Sequence, residues 1–505
     1  MLGKRVSKSV FTALLLQVAS IVCAFILPRI ILRSFGSAYN GIINSVTQFL
    51  SCVTLLRAGI GGVTRAALYK SLADQDFEKT SAIVKATELF MRKIALVFSV
   101  LLVLFAAIYP LFVAEQFDWL FSFTLVLILG ISVVVQYYFG ITNQILLHAD
   151  QRLYVYNILQ TVATVFNTVL TVMLICWGCS IHIAKLGSAV AFSITPVLMH
   201  VYVRKNYRLD RKVAPDYTAI GQRWDAFAHQ VAAFIHSNTS IIVLTLFTDL
   251  YQVSVYSVYS LIVNGINQLI AVCATAIESF FGSVLAHKDE KQLNENMETY
   301  EWAMNILCTI LYCCAAILIV PFVMIYTADV VDVEYAQPLL GYLMCASAFL
   351  SCVRLPYQNV IEAGGHFKQT KIDAGIEAGL NIVLSVILVS KLGAVGVVLG
   401  AIVAMLYRTV RYALYASKHI LKRSYSVFAK RMLVSLLTVG GVMAGYFLAG
   451  VDQYLMRASD YLQWTGYATM VFAALSVFVL LVNFAFYPKI SLQNMKLLVR
   501  KVMKN

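Results

Sequence analysis

Between about residue 10 and residue 487 the sequence is a succession of apolar runs broken by short charged or turn-rich segments. About fourteen such runs can be drawn, each close to the roughly 20 residues that a bilayer-spanning helix needs. Backbone polar groups have no water to bond to in lipid, so runs of this kind are expected to be helices. Only 13% of the residues are charged and 60% are hydrophobic, which leaves almost no room for a separate soluble domain. The expected fold class is an all-α polytopic membrane protein of about fourteen transmembrane helices. The basic start (Lys4, Arg5, Lys8) imitates a signal peptide, but the run behind it is too long and lacks a small-residue cleavage site. It reads as an uncleaved first span.

The net charge of +14 sorts by loop. Lys70, Lys79, Arg152, Arg204, Lys205, Lys368, Lys418 and Lys422 fall between spans on one side. The opposite loops are short and carry Glu115, Asp118, Asp249, Asp329, Asp332 and Asp452. Positive charge marks the cytoplasmic side, so both termini are expected in the cytoplasm. Topology and anionic headgroups account for the basic excess, and nucleic acid is not expected as a partner. The mixed segments from Asp76 to Arg92 and from Lys288 to Trp302 read as helices lying along the inner membrane surface.

An internal repeat is legible. Gln144, Ala149, Asn167 and Leu170 align without a gap on Gln358, Ala363, Asn381 and Leu384; after one deletion Gly187, Tyr202 and Lys205 align on Gly400, Tyr415 and Lys418. The expected organisation is an N-lobe of six spans (1–205), a basic cytoplasmic linker (206–225), a C-lobe of six spans (226–420), and an extra hairpin with a basic tail (421–505). Six spans per lobe relate the lobes by a pseudo-two-fold axis along the membrane normal. Transporters of alternating access are built this way, with substrate near the midplane.

Several polar residues stand inside the runs. A guanidinium at membrane depth costs a few kcal/mol at least, so it faces a partner, an aqueous cavity, or the interface by snorkelling. Arg33 reads as snorkelling; Arg29, after Pro28, either snorkels or faces a cavity. Arg57 and Arg354 lie deeper and are assigned to a cavity, where their planar forks suit phosphate oxygens. Asn44 and Gln48, with Asn264, Asn267 and Gln268, form a polar stripe for substrate or for interhelical hydrogen bonds. Asp373 and Glu377 share a helix face, a candidate site for coupling to Na⁺ or H⁺. Arg65 and Glu278, matched by the repeat, are a candidate inner gate, or ordinary charges at headgroup level. His229 and His236 are candidate proton carriers, or simply hydrogen-bonded membrane histidines. Cys176-Trp177-Gly178-Cys179 has redox-motif spacing without the βαβ context that chemistry needs, so the cysteines read as small buried hydrophobes. No phosphate loop, nucleotide fingerprint or metal-spaced cluster occurs, and no cofactor is expected.

The stretch LPRIILRSFGSAYNGIINSVTQFLSCVTLLRAGIGGVTRAALY resembles the start of bacterial polysaccharide flippases of the multidrug/oligosaccharidyl-lipid/polysaccharide exporter superfamily. The resemblance implies export of undecaprenyl-diphosphate-linked oligosaccharide across a bacterial cytoplasmic membrane. It also implies polysaccharide assembly proteins as partners, a cationic cavity with Arg29 as the nearest first-span arginine, and no enzymatic activity. A cation-coupled drug antiporter of the same superfamily is the runner-up. A membrane glycan polymerase or ligase is disfavoured, because every outer loop is short.

Overall fold

The computed structural model describes residues 2–52, 54–210, 212–218, 238–286, 290–364, 366–456, 460–488 and 490–492. Among these, the regular structure is entirely helical. The fold is all-α and polytopic: among the described residues, eleven helical stretches are long and apolar enough to cross a membrane. Their outer faces leave side chains such as Leu96, Leu111 and Leu462 exposed. Apolar surface on that scale calls for a lipid covering.

The chain divides into two compact units, Met1–Ser254 and Val255–Asn505. The first holds α1 (Leu2–Phe35), α2 (Ser37–Ser51), α3 (Thr54–Ala73), α4 (Phe77–Ile108), α5 (Trp119–Val135), α6 (Ile141–Ala149), α7 (Leu153–Cys176) and α8 (Ile181–Asn206). It also holds α9 (Asn238–Phe247) and the first residues of α10 (Leu250–Ala286). Its core is apolar side chains from several helices, among them Ile42, Met91, Phe98, Leu125 and Leu146. The second unit contains the rest of α10, α11 (Glu290–Tyr326), α12 (Pro338–Val353), α13 (Leu355–Ala363) and α14 (Phe367–His419). It ends with α15 (Ser426–Leu448), the short α16 (Val451–Leu455) and α17 (Tyr461–Phe486).

Three elements differ from the sequence expectation. The expected surface helix from Asp76 to Arg92 is continuous with the span that follows: α4 runs 32 residues, about 48 Å at 1.5 Å per residue. Asp76 caps its start by accepting from the Lys79 N–H, and neither Gly nor Pro interrupts it afterwards. Its first turns bury Thr80, Ser81, Ile83, Val84 and Thr87 against protein. The second expected elbow likewise merges into α11, a helix of 37 residues. Conversely, the apolar run over about residues 40–64, expected as a single span, is two helices, α2 and α3. Near the break, the Ser51 hydroxyl bonds back to the Gln48 carbonyl, a local alternative to the helical ladder.

α14 is two helices joined at Gly393, whose φ of 53° and ψ of −133° lie outside the helical region. The paired contacts show that the chain doubles back there. The Ser385 hydroxyl reaches the Val397 carbonyl at 3.4 Å, and Asp373 reaches Arg411 at 2.8 Å. A Cβ at Gly400 would stand 2.8 Å from the Ser385 backbone nitrogen, so the close approach demands glycine.

The repeat is visible in matched contacts. Thr171 donates to Asn167 Oδ1 at 3.3 Å, and Ser385 to Asn381 Oδ1 at 3.2 Å. Gly187 lies against Leu170 and Leu174 as Gly400 lies against Leu384 and Ser385. Tyr202 bonds Arg152, while its mate Tyr415 meets His366 at 2.7 Å. The extra hairpin, α15 and α17, packs on α11 through a core that includes Ile310, Ile317, Tyr446, Leu475 and Val479. Trp464 adds an indole N–H bond of 3.3 Å to the Leu318 carbonyl.

Candidate functional site

In the first unit, Pro28 stands inside α1 one residue before Arg29. Arg29 is half-buried and Arg33 exposed, and neither is without a partner. The polar stripe of α2 is largely engaged within this unit. Asn40 donates to Ser254 at 2.8 Å, and Asn44 donates to the Asn40 carbonyl at 2.8 Å and to its side chain at 3.1 Å. Gln48 donates to Asn238 Oδ1, which also accepts from Ser51 at 3.0 Å. These bonds tie α2 to α9 and to the start of α10, the interhelical role such residues often take in membranes. The side chain of Arg57 lies outside the described residues, as do His229, His236 and the side chain of Glu278. Arg65 is engaged locally: Nη1 meets His148 Nδ1 at 2.7 Å, and Nε donates to the Gly61 carbonyl at 3.2 Å.

In the second unit Asn264 and Gln268 are exposed on α10. Between them Asn267 accepts from the Tyr312 hydroxyl and from the Cys352 thiol at 3.5 Å. Cys176 and Cys179 are free thiols at the end of α7, and the cysteines of α11 and α12 are buried and free.

The densest charged constellation joins α12, α13 and both arms of α14. Pro356 opens α13, so the helix is interrupted at Arg354, which turns its side chain onto α14. Arg354 Nη1 lies 3.1 Å from Glu377 Oε1, and Arg408 takes the other oxygen of the same carboxylate. Arg408 also donates to the Tyr412 hydroxyl at 2.9 Å and lies over its ring. One turn away, Asp373 Oδ1 accepts from Arg411 Nε at 2.8 Å and from the Tyr407 hydroxyl at 3.1 Å. Glu377 is 1% exposed, Asp373 5% and Arg354 6%, so these three lie inside the protein, whereas the Arg411 side chain is half exposed.

Helical spacing aligns Asp373 with Glu377 on one arm and Arg408 with Arg411 on the other; the turn at Gly393 sets them opposite. Taking one charge out of water costs several kcal/mol, and only close, hydrogen-bonded partners offset that. Inside the protein the guanidinium groups of Arg354 and Arg408 face the carboxylates of Asp373 and Glu377, and a third guanidinium, that of the half-exposed Arg411, binds Asp373 from the surface. The Nε atoms of Arg354 and Arg408 are buried without an acceptor. Arg354 and the Asp373–Glu377 pair were both visible in the sequence, but as separate candidates; the structure joins them. Arg408 and Arg411 were missed. Their signal was two arginines on one face of an apolar run whose hairpin partner carries two acids.

A second buried ion group fastens the extra hairpin. Glu301 of α11 binds Arg423 and lies 3.3 Å from Arg431 of α15. No metal-ligating cluster occurs among the described residues.

No protein-family model matches the sequence, and no curated protein does. Solved structures do. The inward closed conformation of the lipid II flippase MurJ superposes with a TM-score of 0.70 at 14% identity, covering 94% of this chain and 99% of that one. An inward-facing multidrug-resistance MATE family transporter of the MOP superfamily gives 0.59 at 13% identity, covering 83% and 96%. A point mutant of the Vibrio cholerae MATE transporter VcmN gives 0.56 at 11% identity, covering 84% and 99%. The protein therefore has the two-lobed, all-helical fold that MurJ and MATE transporters share.

Proposed function

We propose that this protein is an alternating-access flippase. Its cargo would be undecaprenyl-diphosphate-linked oligosaccharide, moved from the inner to the outer leaflet of a bacterial cytoplasmic membrane for cell-surface polysaccharide synthesis. The supporting observation is a cluster in the second unit where three guanidinium groups, that of Arg411 half exposed, meet two buried carboxylates, with the Nε–H donors of Arg354 and Arg408 left unsatisfied. Arginine forks pair bidentately with phosphate oxygens, so such a cluster favours a diphosphate over a cation. On this reading Arg29, Arg57 and Arg354 serve the headgroup, and Asn44, Gln48, Asn264 and Gln268 serve the sugar. Both termini lie in the cytoplasm, and polysaccharide assembly proteins are the partners. The chain does no covalent chemistry.

The antiporter reading needs a carboxylate able to exchange its counter-ion. Asp373 and Glu377 already hold Arg411, Arg354 and Arg408, so Na⁺ or H⁺ coupling through them would first displace an arginine. The test is leaflet accessibility of a fluorescent undecaprenyl-diphosphate oligosaccharide in proteoliposomes. Wild type should flip it, and Arg354→Gln and Arg408→Gln variants that insert and purify normally should lose at least tenfold in rate. Flipping by all three proteins would discard the arginine site. No flipping by wild type, with dye efflux driven by a cation gradient, would discard the flippase.

A further inference from the structure

The first unit contains a cavity of about 400 Å³ that the transport reading does not use. Its walls are the first turns of α4, the π-helical turn Gln136–Gly140 with the start of α6, the end of α8, and residues 207–210. Ligand pockets begin near 300 Å³, so this one has room for a small polar group. It lies at the end of the unit where the basic connections cluster. Three cations (Lys85, Arg92 and Arg204) and His200 line it, against two acids, Glu88 and Asp210.

Both acids are already engaged. Glu88 pairs with Arg92, and Asp210 accepts from the Lys212 backbone N–H at 2.8 Å. Lys85 is committed too, donating to the Val213 carbonyl at 2.7 Å. Two donors remain. Arg92 lies over the Tyr138 ring at 4.8 Å, which sets the plane of its guanidinium, and its Nε is buried with no acceptor. Arg204 is exposed at the rim. Asn143 and His200 meet at 3.1 Å on the facing wall.

The outer wall is held in place by three bonds. The Asp210 N–H reaches Ser81 Oγ at 3.0 Å, the Asp216 N–H reaches the Ala82 carbonyl at 3.2 Å, and Tyr207 donates to Asp150 at 2.5 Å. Burial, and then that bond to Asp150, push the Tyr207 pKa up, so its hydroxyl stays a donor. The Asn143 amide nitrogen is held by the Phe139 carbonyl and His200, so the recognition set for a phosphate ester is the guanidinium of Arg92, with its plane fixed and its Nε–H orphaned, together with that of Arg204 at the mouth.

We propose that this cavity is a binding site for a phosphate-bearing group, separate from the transport site. Phosphate esters reach that end of the unit from two sources, an anionic phospholipid headgroup or a soluble phosphorylated metabolite. Because residues 207–210 form the wall and Val213 and Asp216 brace it, occupancy also holds that connecting segment onto α4. The test uses full-length protein in nanodiscs. One arm titrates glycerol 3-phosphate into phosphatidylcholine discs. The other exchanges phosphatidylcholine for phosphatidylglycerol. Both read thermal stability and the rate of tryptic cleavage after Lys212.

A saturable rise in stability with slower cleavage in either arm, reduced at least tenfold in apparent affinity by R92Q/R204Q, supports the site; the responding arm identifies the source. Should the double variant fail to fold, R204Q alone, at the exposed rim, decides by the same criterion. No response in either arm, or an undiminished response in the variants, overturns the proposal. Neither readout depends on flipping.

Discussion

The two hairpins related by the repeat, α7–α8 in the first unit and α14 in the second, share their middles and differ at one end. In both, an asparagine (Asn167, Asn381) accepts from a hydroxyl one turn on, and a glycine (Gly187, Gly400) lets the facing helix close in. Toward the basic end the two diverge. Where the second unit places Arg354, Asp373, Glu377, Arg408 and Arg411, the repeat register puts Gly140, Leu159, Ala163, Thr195 and Leu198 in the first. At the matching position the first unit has a polar cavity of about 130 Å³ lined by Gln136, Gln144, Gln160 and Thr195, with no charged side chain. One scaffold therefore tolerates either a neutral cavity or a packed ion network. The charges of α14 are an addition to the fold and not a requirement of it, which is why they are the better candidates for function.

The sharpest way to break this comparison is Glu377→Ala. It leaves Arg354 and Arg408 buried without their shared carboxylate, and removing one partner of a buried pair costs about 3–5 kcal/mol. Its repeat mate already is an alanine, Ala163, so the first unit shows that the backbone accepts the residue. Thermal unfolding in detergent should show a large drop in midpoint, and Gln160→Ala in the first-unit cavity a small one. Equal drops would mean that the ion network contributes nothing special.

Next come the turns. Gly178 and Gly393, which end the first arm of each hairpin, have φ of 78° and 53°. A side chain held at these positive φ values costs about 1–3 kcal/mol, so Gly178→Ala and Gly393→Ala should both destabilise by an amount in that range. A much larger loss at Gly393 would show that the turn's precision serves the ion pairs beyond it. The smallest effect is expected for Asn167→Ala and Asn381→Ala. Each removes one buried hydrogen bond worth about 1 kcal/mol, and equal shifts in unfolding midpoint would sharpen the repeat while unequal ones would weaken it.

Much of the fold was legible because spanning a bilayer imposes a length and a polarity on each segment. The extents of α5 and α6 taken together, of α7 and α8, of both arms of α14 and of the last hairpin follow, to within several residues, from apolar runs and turn residues. The merged helices α4 and α11 were not legible, since an amphipathic stretch buried against protein has the same pattern as one lying on a membrane. The site was legible only in halves. Asp373 and Glu377 share a face by helical spacing alone, but Arg408 and Arg411 become their partners only through the antiparallel register set at Gly393. The polar stripe of α2 stood out by composition, yet whether Asn44 and Gln48 face a substrate or another helix depends on where α9 lies.

By itself, then, the sequence determined that this chain is a multi-pass helical membrane protein built on a repeated set of spans, with arginines and carboxylates carried into the apolar runs. Those properties are local, and each is written in some twenty consecutive residues. Only the tertiary structure decided which buried charges neutralise one another and which guanidinium donors stay unsatisfied. Ion pairing acts over a few ångströms between residues remote in the chain, and hydropathy does not record which helix faces which.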